Sequence, residues 1–446
     1  MKNTLLLLTL LAYSFVNAQI GKRFPSERKV VKDPVTGTML TFLTSKPSGD
    51  SKIYQTHTQW TSDGQWLIFR SGRVRNEALA VNEKTGDIVQ VTEGGYSGML
   101  CIARKSMKLY FMRVASTDTS RRRSGPMQVV VVDLDKVFND SKAGKMQAAS
   151  NYQHICGTIP AELGAGGDMA LDANEDYVYF RIGKTEAAKH LPANAKIENS
   201  FGPRNMGAGP AGLMSMNVNS GELKYIKSVP FQIGHVQTNP WVAGEIVFCW
   251  ETGGKSPQRT WTVMADGTSL RPLYPESEYE WVTHEAVITK DEVAIAIMGH
   301  RKIGGRDSTG TGVSGVNPGQ DAAWGPSGTR EKPTGLGIVN LRTRKMRIIA
   351  QTPSGSGLWH VNGSGDGRWA VGDDFARNIY LVDRHTGEMM LLSTGHKATA
   401  ADHPHPTFNA DGTKIQIQSA MLSGDNRSMN ICIIPVPEAW LKRTYK

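Results

Sequence analysis

The chain has 446 residues, with 51 lysines and arginines against 41 aspartates and glutamates, so its formal net charge is +10. This balance favours a polyanionic partner, although a generally basic surface would give the same count. The four cysteines, Cys101, Cys156, Cys249 and Cys432, form no CxxC pair, which argues against a disulfide framework.

Residues 1–18 have the pattern of a cleaved secretory signal. Lys2 precedes an apolar run over residues 5–16, and Ala18 supplies the small residue that signal peptidase reads. The run is short for a membrane span, and no cysteine stands at the cleavage point to accept a lipid. We therefore expect residues 19–446 to form one soluble domain, without a membrane span, in the periplasm or at the cell surface. There the polyanion would be an acidic oligo- or polysaccharide rather than nucleic acid. No feature indicates a protein partner, and a monomer is expected.

A repeat of about 40 to 50 residues follows the signal. Asp-Gly turns at Asp63, Asp366 and Asp411 each precede a short apolar strand, and a second strand then ends in a Thr-Gly or Ser-Gly turn. Seven such units begin near His57, Gly98, Gly166, His235, His284, His360 and His403. The pattern predicts an all-β fold, a seven-bladed β-propeller. Residues 38–44 are left over as a strand that would complete the last blade and close the ring.

Histidines recur at one position of the repeat. His57, His360 and His405 each stand six residues before an Asp-Gly turn, and His284 stands six residues before Lys290 in a degenerate copy. Equal register in equivalent inner strands would place these imidazoles at one depth in the central channel. Such a ring is typical of a metal or proton-transfer site. The alternative is that each imidazole merely bonds a neighbouring carbonyl.

The densest cluster is Asp402-His403-Pro404-His405-Pro406, whose prolines hold the backbone extended. With His284 it would supply three imidazoles for a divalent ion such as manganese, calcium or zinc. The spacing alone does not identify the ion.

Cationic and aromatic side chains near the histidines are candidates for binding a sugar acid. Arginine binds a carboxylate bidentately, and an indole stacks on a sugar face. The interstrand connections carry Arg73, Arg75, Arg121 to Arg123, Arg204 and Arg301. Trp281, Trp359 and His360 lie beside or in the histidine-bearing strands. The alternatives are solvated loop charges and aromatic residues that pack between blades. The glycine-rich residues 304–337 are predicted to form a flexible loop over the channel mouth.

Gly234-His235, Thr283-His284-Glu285 and the segment from His403 to Phe408 resemble the oligogalacturonate lyases. Those enzymes are seven-bladed propellers that bind a divalent ion and eliminate across a uronic acid. The resemblance implies that His284, His403 and His405 are metal ligands and that His235 is a catalytic residue beside the substrate. The chain departs from the lyases at Ala400, where they have a metal-binding glutamine, and by lacking a functional arginine in residues 212–215.

His57 stands where the lyases have glutamine. In this respect the chain resembles a related gut-bacterial group that acts on L-rhamnose-α-1,4-D-glucuronate caps of arabinogalactan. That resemblance implies that His57 carries the chemistry, with Arg204 among the carboxylate binders.

Three functions remain open from the sequence. The favoured one is a carbohydrate-active enzyme that cleaves the rhamnose-glucuronate linkage, by hydrolysis or by elimination. The second is a metal-dependent oligogalacturonate lyase that uses His235. The third is a non-catalytic glycan-binding propeller. Elimination needs one base for the C5 proton, which an imidazole can supply, whereas ordinary hydrolysis needs two carboxylates, and none are paired at the strand entrances.

Overall fold

The structure, a computed structural model, describes residues 19–115, 125–252, 256–276, 280–298, 335–351 and 358–445. The predicted signal, Arg121 to Arg123, Arg301 and most of the predicted glycine-rich loop lie outside these residues. Among the helices in the described ranges, none is both long and apolar enough to cross a membrane.

The strands form seven antiparallel sheets, which confirms the predicted seven-bladed β-propeller. Blade 1 contains β1 (Arg23–Phe24), β4 (Ser51–Lys52), β5 (Trp66–Arg70), β6 (Ala78–Asn82) and β7 (Ile88–Gln90). Blade 2 contains β8 (Ser97–Ile102), β9 (Lys108–Val114), β10 (Met127–Asp133) and β11 (Gln153–Ile159). Blade 3 contains β12 (Met169–Leu171), β13 (Tyr177–Ile182), β14 (Ala208–Asn217) and β15 (Leu223–Phe231).

Blade 4 contains β16 (Ile233–Thr238), β17 (Glu245–Trp250), β18 (Thr260–Met264) and β19 (Arg271–Pro272). Blade 5 contains β20 (Val282–Thr289), β21 (Glu292–Ile297), β22 (Gly335–Asn340) and β23 (Met346–Ala350). Blade 6 contains β24 (Leu358–Gly363), β25 (Trp369–Asp374), β26 (Ile379–Asp383) and β27 (Met389–Ser393). Blade 7 contains β2 (Lys29–Lys32), β3 (Met39–Phe42), β28 (Thr407–Phe408), β29 (Lys414–Ser419) and β30 (Asn430–Pro435). The part of the chain that the structure describes also contains three short α-helices, α1 (Leu134–Ala143), α2 (Lys184–Ala188) and α3 (Glu438–Leu441).

The core is divided among the interfaces between neighbouring blades. One apolar cluster packs Ile68 of blade 1 against Phe111 of blade 2, and another packs Trp369 of blade 6 against Ile417 of blade 7. Each blade therefore buries apolar side chains on both faces of its sheet, which is why its strands read as short apolar runs. The four cysteines are free thiols.

Strands from the N-terminal part of the chain complete the ring. β3 pairs with β30, with Thr41 opposite Ile433, which confirms the predicted closing strand. The sequence did not predict β2, which extends blade 7 beyond β3, or β1, which pairs with β7 at the edge of blade 1. The N-terminal segment thus joins the first and last blades.

Asp33 holds this closing hairpin against blade 6. Its carboxylate accepts hydrogen bonds from the backbone N–H groups of Val35 and Thr36, each at 2.9 Å, and from that of Thr394 at 2.6 Å. Burial alone would raise the pKa of Asp33, but these backbone hydrogen bonds outweigh it and lower the pKa.

The Asp33→Ala variant is expected to lose about 1–3 kcal/mol of unfolding free energy at pH 7. A carboxylate with a lowered folded-state pKa stabilises the fold above its unfolded pKa of about 4, and that contribution disappears as the pH falls through the folded value. The deficit should therefore shrink in acid. Chemical denaturation at pH 7 and at about pH 3 measures the loss of unfolding free energy. The control is Asp87→Ala, whose side chain is more exposed. Equal stability of the two variants at pH 7 would contradict the role of Asp33 in holding the hairpin.

The innermost strands line the channel and define its two mouths. The turns between first and second strands, including Asp63-Gly64, Asp366-Gly367 and Asp411-Gly412, surround the mouth that we call the turn mouth. The starts of the first strands, such as β16, β20 and β24, surround the opposite one, the entry mouth. Gly64, Gly367 and Gly412 have φ of 69°, 79° and 70°, the left-handed backbone that these tight turns require.

Candidate active site at the entry mouth

Five histidines from blades 4 to 7 meet at the entry mouth. His235 lies in β16, His284 in β20 and His360 in β24, and His403 and His405 lie just before β28. Ring centroids are 5.8 Å apart for His235 and His284, 4.3 Å for His284 and His360, and 3.7 Å for His360 and His405. The His403 ring lies 5.2 Å from that of His360. Equal register thus brings together His284, His360 and His405, and His235 and His403 lie beside them. We call these five imidazoles the five-histidine cluster.

Asp373 lies beneath this cluster, on β25, opposite His360 in the sheet. It accepts a hydrogen bond from the backbone N–H of His360 at 2.7 Å, and its carboxylate lies 3.1 Å from Nδ1 of His360 and 3.4 Å from Nδ1 of His403. His360, Asp373 and His403 each offer a ligand atom, all within 4.8 Å of one another. Within the described ranges, the buried Nδ1 of the neighbouring His284 has no hydrogen-bond partner.

The charges of this group suit a cation. Burial alone would raise the pKa of Asp373, but the imidazoles of His360 and His403 outweigh it and hold the pKa well below its usual value. Burial lowers the pKa of His360 to about 3, so its ring is neutral at pH 7. A neutral imidazole beside an ionised carboxylate is the protonation state that a metal ion requires of its ligands.

Both ring nitrogens of His405 face polar side chains. Its Nε2 lies 3.0 Å from Oδ2 of Asp402, and its Nδ1 lies 3.0 Å from Oε1 of Gln55. Burial lowers the pKa of His405, and a neutral imidazole carries a proton on only one of its two nitrogens. The ligand role of His284, His403 and His405 stays a prediction, and His360 and Asp373 are further candidates because they converge with His403.

His235 is oriented by a buried ion pair. Its Nδ1 lies 2.7 Å from Oε1 of Glu285, whose other oxygen accepts a hydrogen bond from Nε of Arg259 at 3.2 Å. Glu285 is fully buried, while the His235 side chain keeps 18% of its surface exposed. Burial alone would lower the pKa of His235, but Tyr54, Cys249 and Glu285 outweigh it and raise the pKa well above its usual value. Nε2 therefore acts as a general base only after the imidazolium has given up its proton. His235 has a φ of 49°, an uncommon value for a residue other than glycine.

Aromatic side chains surround the cluster. The half-buried Tyr54 has its ring 4.9 Å from that of His235 and 5.1 Å from that of His405. The half-buried Trp359 has its ring 4.7 Å from that of His284. Trp281 is only 3% exposed and packs with Met298, so its predicted contact with a sugar is corrected to a packing role.

The predicted carboxylate-binding arginines differ in their surroundings. Arg73 is buried and ion-paired with Glu27 at 2.6 Å and with Asp50, which leaves no donor surface for a substrate and corrects that prediction. Arg75 and Arg204 are exposed on the connections β5–β6 and β13–β14, and their binding roles stay predictions.

His57 lies apart from the five-histidine cluster. Its Nε2 lies 2.9 Å from the carbonyl oxygen of Met169, and its Nδ1 lies 2.8 Å from Oγ1 of Thr56. Burial lowers its pKa to about 4, so the ring is neutral at pH 7. It lines a cavity of about 430 Å³ at the turn mouth, together with Arg104 and Trp241. The expectation that His57 shares one site with the other histidines is therefore wrong.

Sequence reasoning missed Asp373, Glu285, Arg259 and Tyr54. The signal for Asp373 was an acidic residue at the end of the apolar run Trp369-Ala370-Val371-Gly372, where burial demands a charged partner. Glu285 gives the same signal, because it is an acidic residue that follows His284 within a strand of mainly apolar residues.

Solved structures share this architecture. An oligogalacturonate lyase in complex with manganese superposes with a TM-score of 0.70 at 18% identity, covering 95% of this chain and 100% of its own. An oligogalacturonate lyase from Vibrio parahaemolyticus gives a TM-score of 0.66 at 16% identity, with the same coverage of 95% and 100%. No protein-family profile and no curated protein matches the sequence. The chain thus has the seven-bladed fold of these two lyases, at an identity that establishes the fold alone.

Proposed function

We propose that this protein cleaves glycosidic bonds at a uronic acid by β-elimination, and that the five-histidine cluster is its active centre. The observation that carries the proposal is His235, whose Nδ1 is held by the buried Glu285 and whose ring lies 5.8 Å from that of His284, in the same cluster as the group of His360, Asp373 and His403. A base adjacent to a cation site is what elimination at a uronate needs. The shared fold with two oligogalacturonate lyases supports the same chemistry.

The donor set fits a divalent ion. His360, Asp373 and His403 combine two imidazoles with one ionised carboxylate, and the buried Nδ1 of His284 has no hydrogen-bond partner among the residues that the structure describes. Imidazole and carboxylate ligands suit manganese, zinc or similar ions. When bound, such an ion would neutralise the uronate carboxylate and so acidify the proton at C5.

The side chains of the protein would perform the other steps. His235 Nε2 takes the proton from C5, the electron pair of that bond forms the C4–C5 double bond, and the C4–oxygen bond breaks. The departing oxygen takes up a proton from solvent, and the His235 imidazolium later returns its proton to solvent. Glu285 holds the imidazole in one tautomer and stabilises the imidazolium that forms. Trp359, half-exposed next to His284, would stack on the sugar ring.

Incubation with oligogalacturonate tests this function. The expected result is a steady rise in ultraviolet absorbance, because each elimination creates a C4–C5 double bond conjugated with the carboxylate. Mass spectrometry should show products 18 Da lighter than those of hydrolysis, by one water. No absorbance rise with oligogalacturonate or other 4-linked uronides would overturn the proposal.

A second candidate function is favoured by the cavity at the turn mouth. This cavity places the neutral imidazole of His57 near Arg104, whose guanidinium lies 4.6 Å from the centre of the Trp241 ring. A cation, an indole and a base in one cavity would suit a rhamnose-glucuronate cap, with glucuronate as the acidic sugar. Cleavage there could proceed by hydrolysis or by elimination, and the saturation of the product distinguishes them.

The His57→Gln variant separates the two functions. If the turn mouth is catalytic, this variant should lose rhamnose release from gum arabic by about 100-fold or more, while His403→Ala keeps it. If the entry mouth cleaves the rhamnose-glucuronate linkage instead, His403→Ala should lose rhamnose release and His57→Gln should keep it. Rhamnose is quantified chromatographically, and thermal melting checks that His57→Gln folds. If the wild type releases neither rhamnose nor an unsaturated product, the remaining hypothesis is a non-catalytic glycan-binding propeller.

A further inference from the structure

A second group of potential metal ligands lies beside the proposed base and contains sulfur. His235, Cys249 and Glu251 each offer one ligand atom, and these atoms lie within 4.8 Å of one another. Cys249 belongs to β17 and pairs across the sheet with Gly234, the neighbour of His235. A side chain at position 234 would collide with Glu251, since an added Cβ would lie 2.8 Å from its Oε2. The glycine therefore allows the carboxylate to approach His235.

The imidazole is already oriented for coordination. Glu285 engages Nδ1 at 2.7 Å, and Nε2 lies 3.6 Å from Oε2 of Glu251. A buried carboxylate that fixes one ring nitrogen while the other faces the ion is the usual second shell of a metal-binding histidine. His235 and Glu251 have side chains that are 18% and 22% exposed, whereas Cys249 is fully buried beneath them. An ion could therefore enter from the channel and contact all three.

The thiol of Cys249 distinguishes this group from His360, Asp373 and His403, which offer only nitrogen and oxygen ligands. Nitrogen, thiolate sulfur and carboxylate oxygen together suit zinc, whereas manganese prefers oxygen and imidazole ligands. Deprotonated Cys249 and ionised Glu251 carry two negative charges, which balance a divalent cation. The adjacent Arg259 is already neutralised by Glu285. Three protein ligands leave the fourth tetrahedral position open to the channel.

We propose that His235, Cys249 and Glu251 form a second metal site, selective for zinc or a similarly thiophilic divalent ion and separate from His360, Asp373 and His403. On binding, the thiol of Cys249 releases its proton to solvent and a metal–sulfur bond forms. Zinc at this site occupies Nε2 of His235. Provided that His235 is the base of the proposed elimination, zinc is therefore an inhibitor of the reaction.

Cobalt and zinc binding to the full-length, metal-free protein test the site without any sugar. Co²⁺ should produce a near-ultraviolet thiolate-to-cobalt absorption band in the wild type and in His403→Ala, and none in Cys249→Ser. Zinc affinity, from calorimetry, should fall by about 10-fold or more in Cys249→Ser. The matched control is Cys432→Ser, another buried thiol, which should keep the band. A wild type without the band, or a band that persists in Cys249→Ser, would overturn the site.

A second variant tests the site in case Cys249→Ser does not fold. Glu251→Gln changes a partly exposed side chain, and it should weaken zinc binding while keeping the thiolate band. Unchanged zinc affinity in this variant would exclude Glu251 as a ligand and contradict the three-residue site. If the band appears but no uronide is cleaved, the proposed function fails and the zinc site stands. If elimination occurs but the wild type shows no thiolate-to-cobalt band, the zinc site fails and the proposed function stands.

Discussion

The His235→Gln variant is expected to lose uronide elimination by about 10² to 10⁴-fold in kcat, with little change in KM. Proton abstraction from C5 occurs only in the transition state, and the Glu285 carboxylate stabilises the imidazolium only after the proton has moved. Glutamine can still donate a hydrogen bond to Glu285, so the surrounding ion pair with Arg259 should persist. Initial rates of unsaturated-product formation over a range of oligogalacturonate concentrations measure both constants.

A histidine elsewhere on the surface supplies the control for this variant. His190 stacks on Tyr225 of the outer strand β15, with ring centroids 4.0 Å apart, so His190→Gln should retain full activity. If His235→Gln keeps more than about a tenth of the wild-type kcat, another group is the base, because general bases contribute at least 10²-fold.

Removal of divalent ions is expected to reduce elimination by about 100-fold or more, since a cation on the carboxylate supplies several kcal/mol of transition-state stabilisation. Manganese should restore the wild type after chelation. It should not restore His403→Ala, which loses one of three converging ligands. His403 is partly exposed, so its truncation leaves the inter-blade core intact. Rates are measured after dialysis against chelator and after graded addition of manganese.

The matched control is His385→Ala. His385 lies in the turn after β26, stacks on Tyr445 and is far from His360, Asp373 and His403. It should respond to chelation and to manganese as the wild type does. Activity that survives complete removal of metal would show that His360, Asp373 and His403 serve only to stabilise the fold.

The blades and most of the histidine cluster could be predicted because both follow from local repetition. An Asp-Gly turn fixes where a first strand ends, so residues six positions upstream occupy equivalent places in different blades. This argument holds for His284, His360 and His405, which the structure brings together. The closing strand was predictable for the same reason, since an apolar segment without a partner remained before the first unit.

His57 escaped this reasoning because its strand is interrupted. The backbone N–H of His57 donates a hydrogen bond to the carbonyl oxygen of Tyr54 at 3.0 Å, which forms a turn at this position. Tyr54 consequently occupies the place beside His235 and His405, and the imidazole of His57 faces Met169. Register predicts side-chain direction only while the strand remains regular.

Long-range charge pairing could not be predicted either. Arg73 is a loop residue, and nothing near it in the sequence shows that Glu27 and Asp50 enclose its guanidinium. The position of Asp373 against His360 depends on how β24 and β25 pair. Both pairings can be recognised only in the folded structure, because the partners are distant in sequence. A buried carboxylate must lie next to a positive charge or a hydrogen-bond donor, since an unpaired buried charge is costly.

Anomalous diffraction from crystals soaked in manganese, recorded on both sides of its absorption edge, tests the active centre most directly. The expected result is one strong peak bounded by ring nitrogens of His360 and His403 and a carboxylate oxygen of Asp373. A map with no peak at the entry mouth, from crystals whose manganese content is verified by fluorescence, would contradict a metal-dependent centre there.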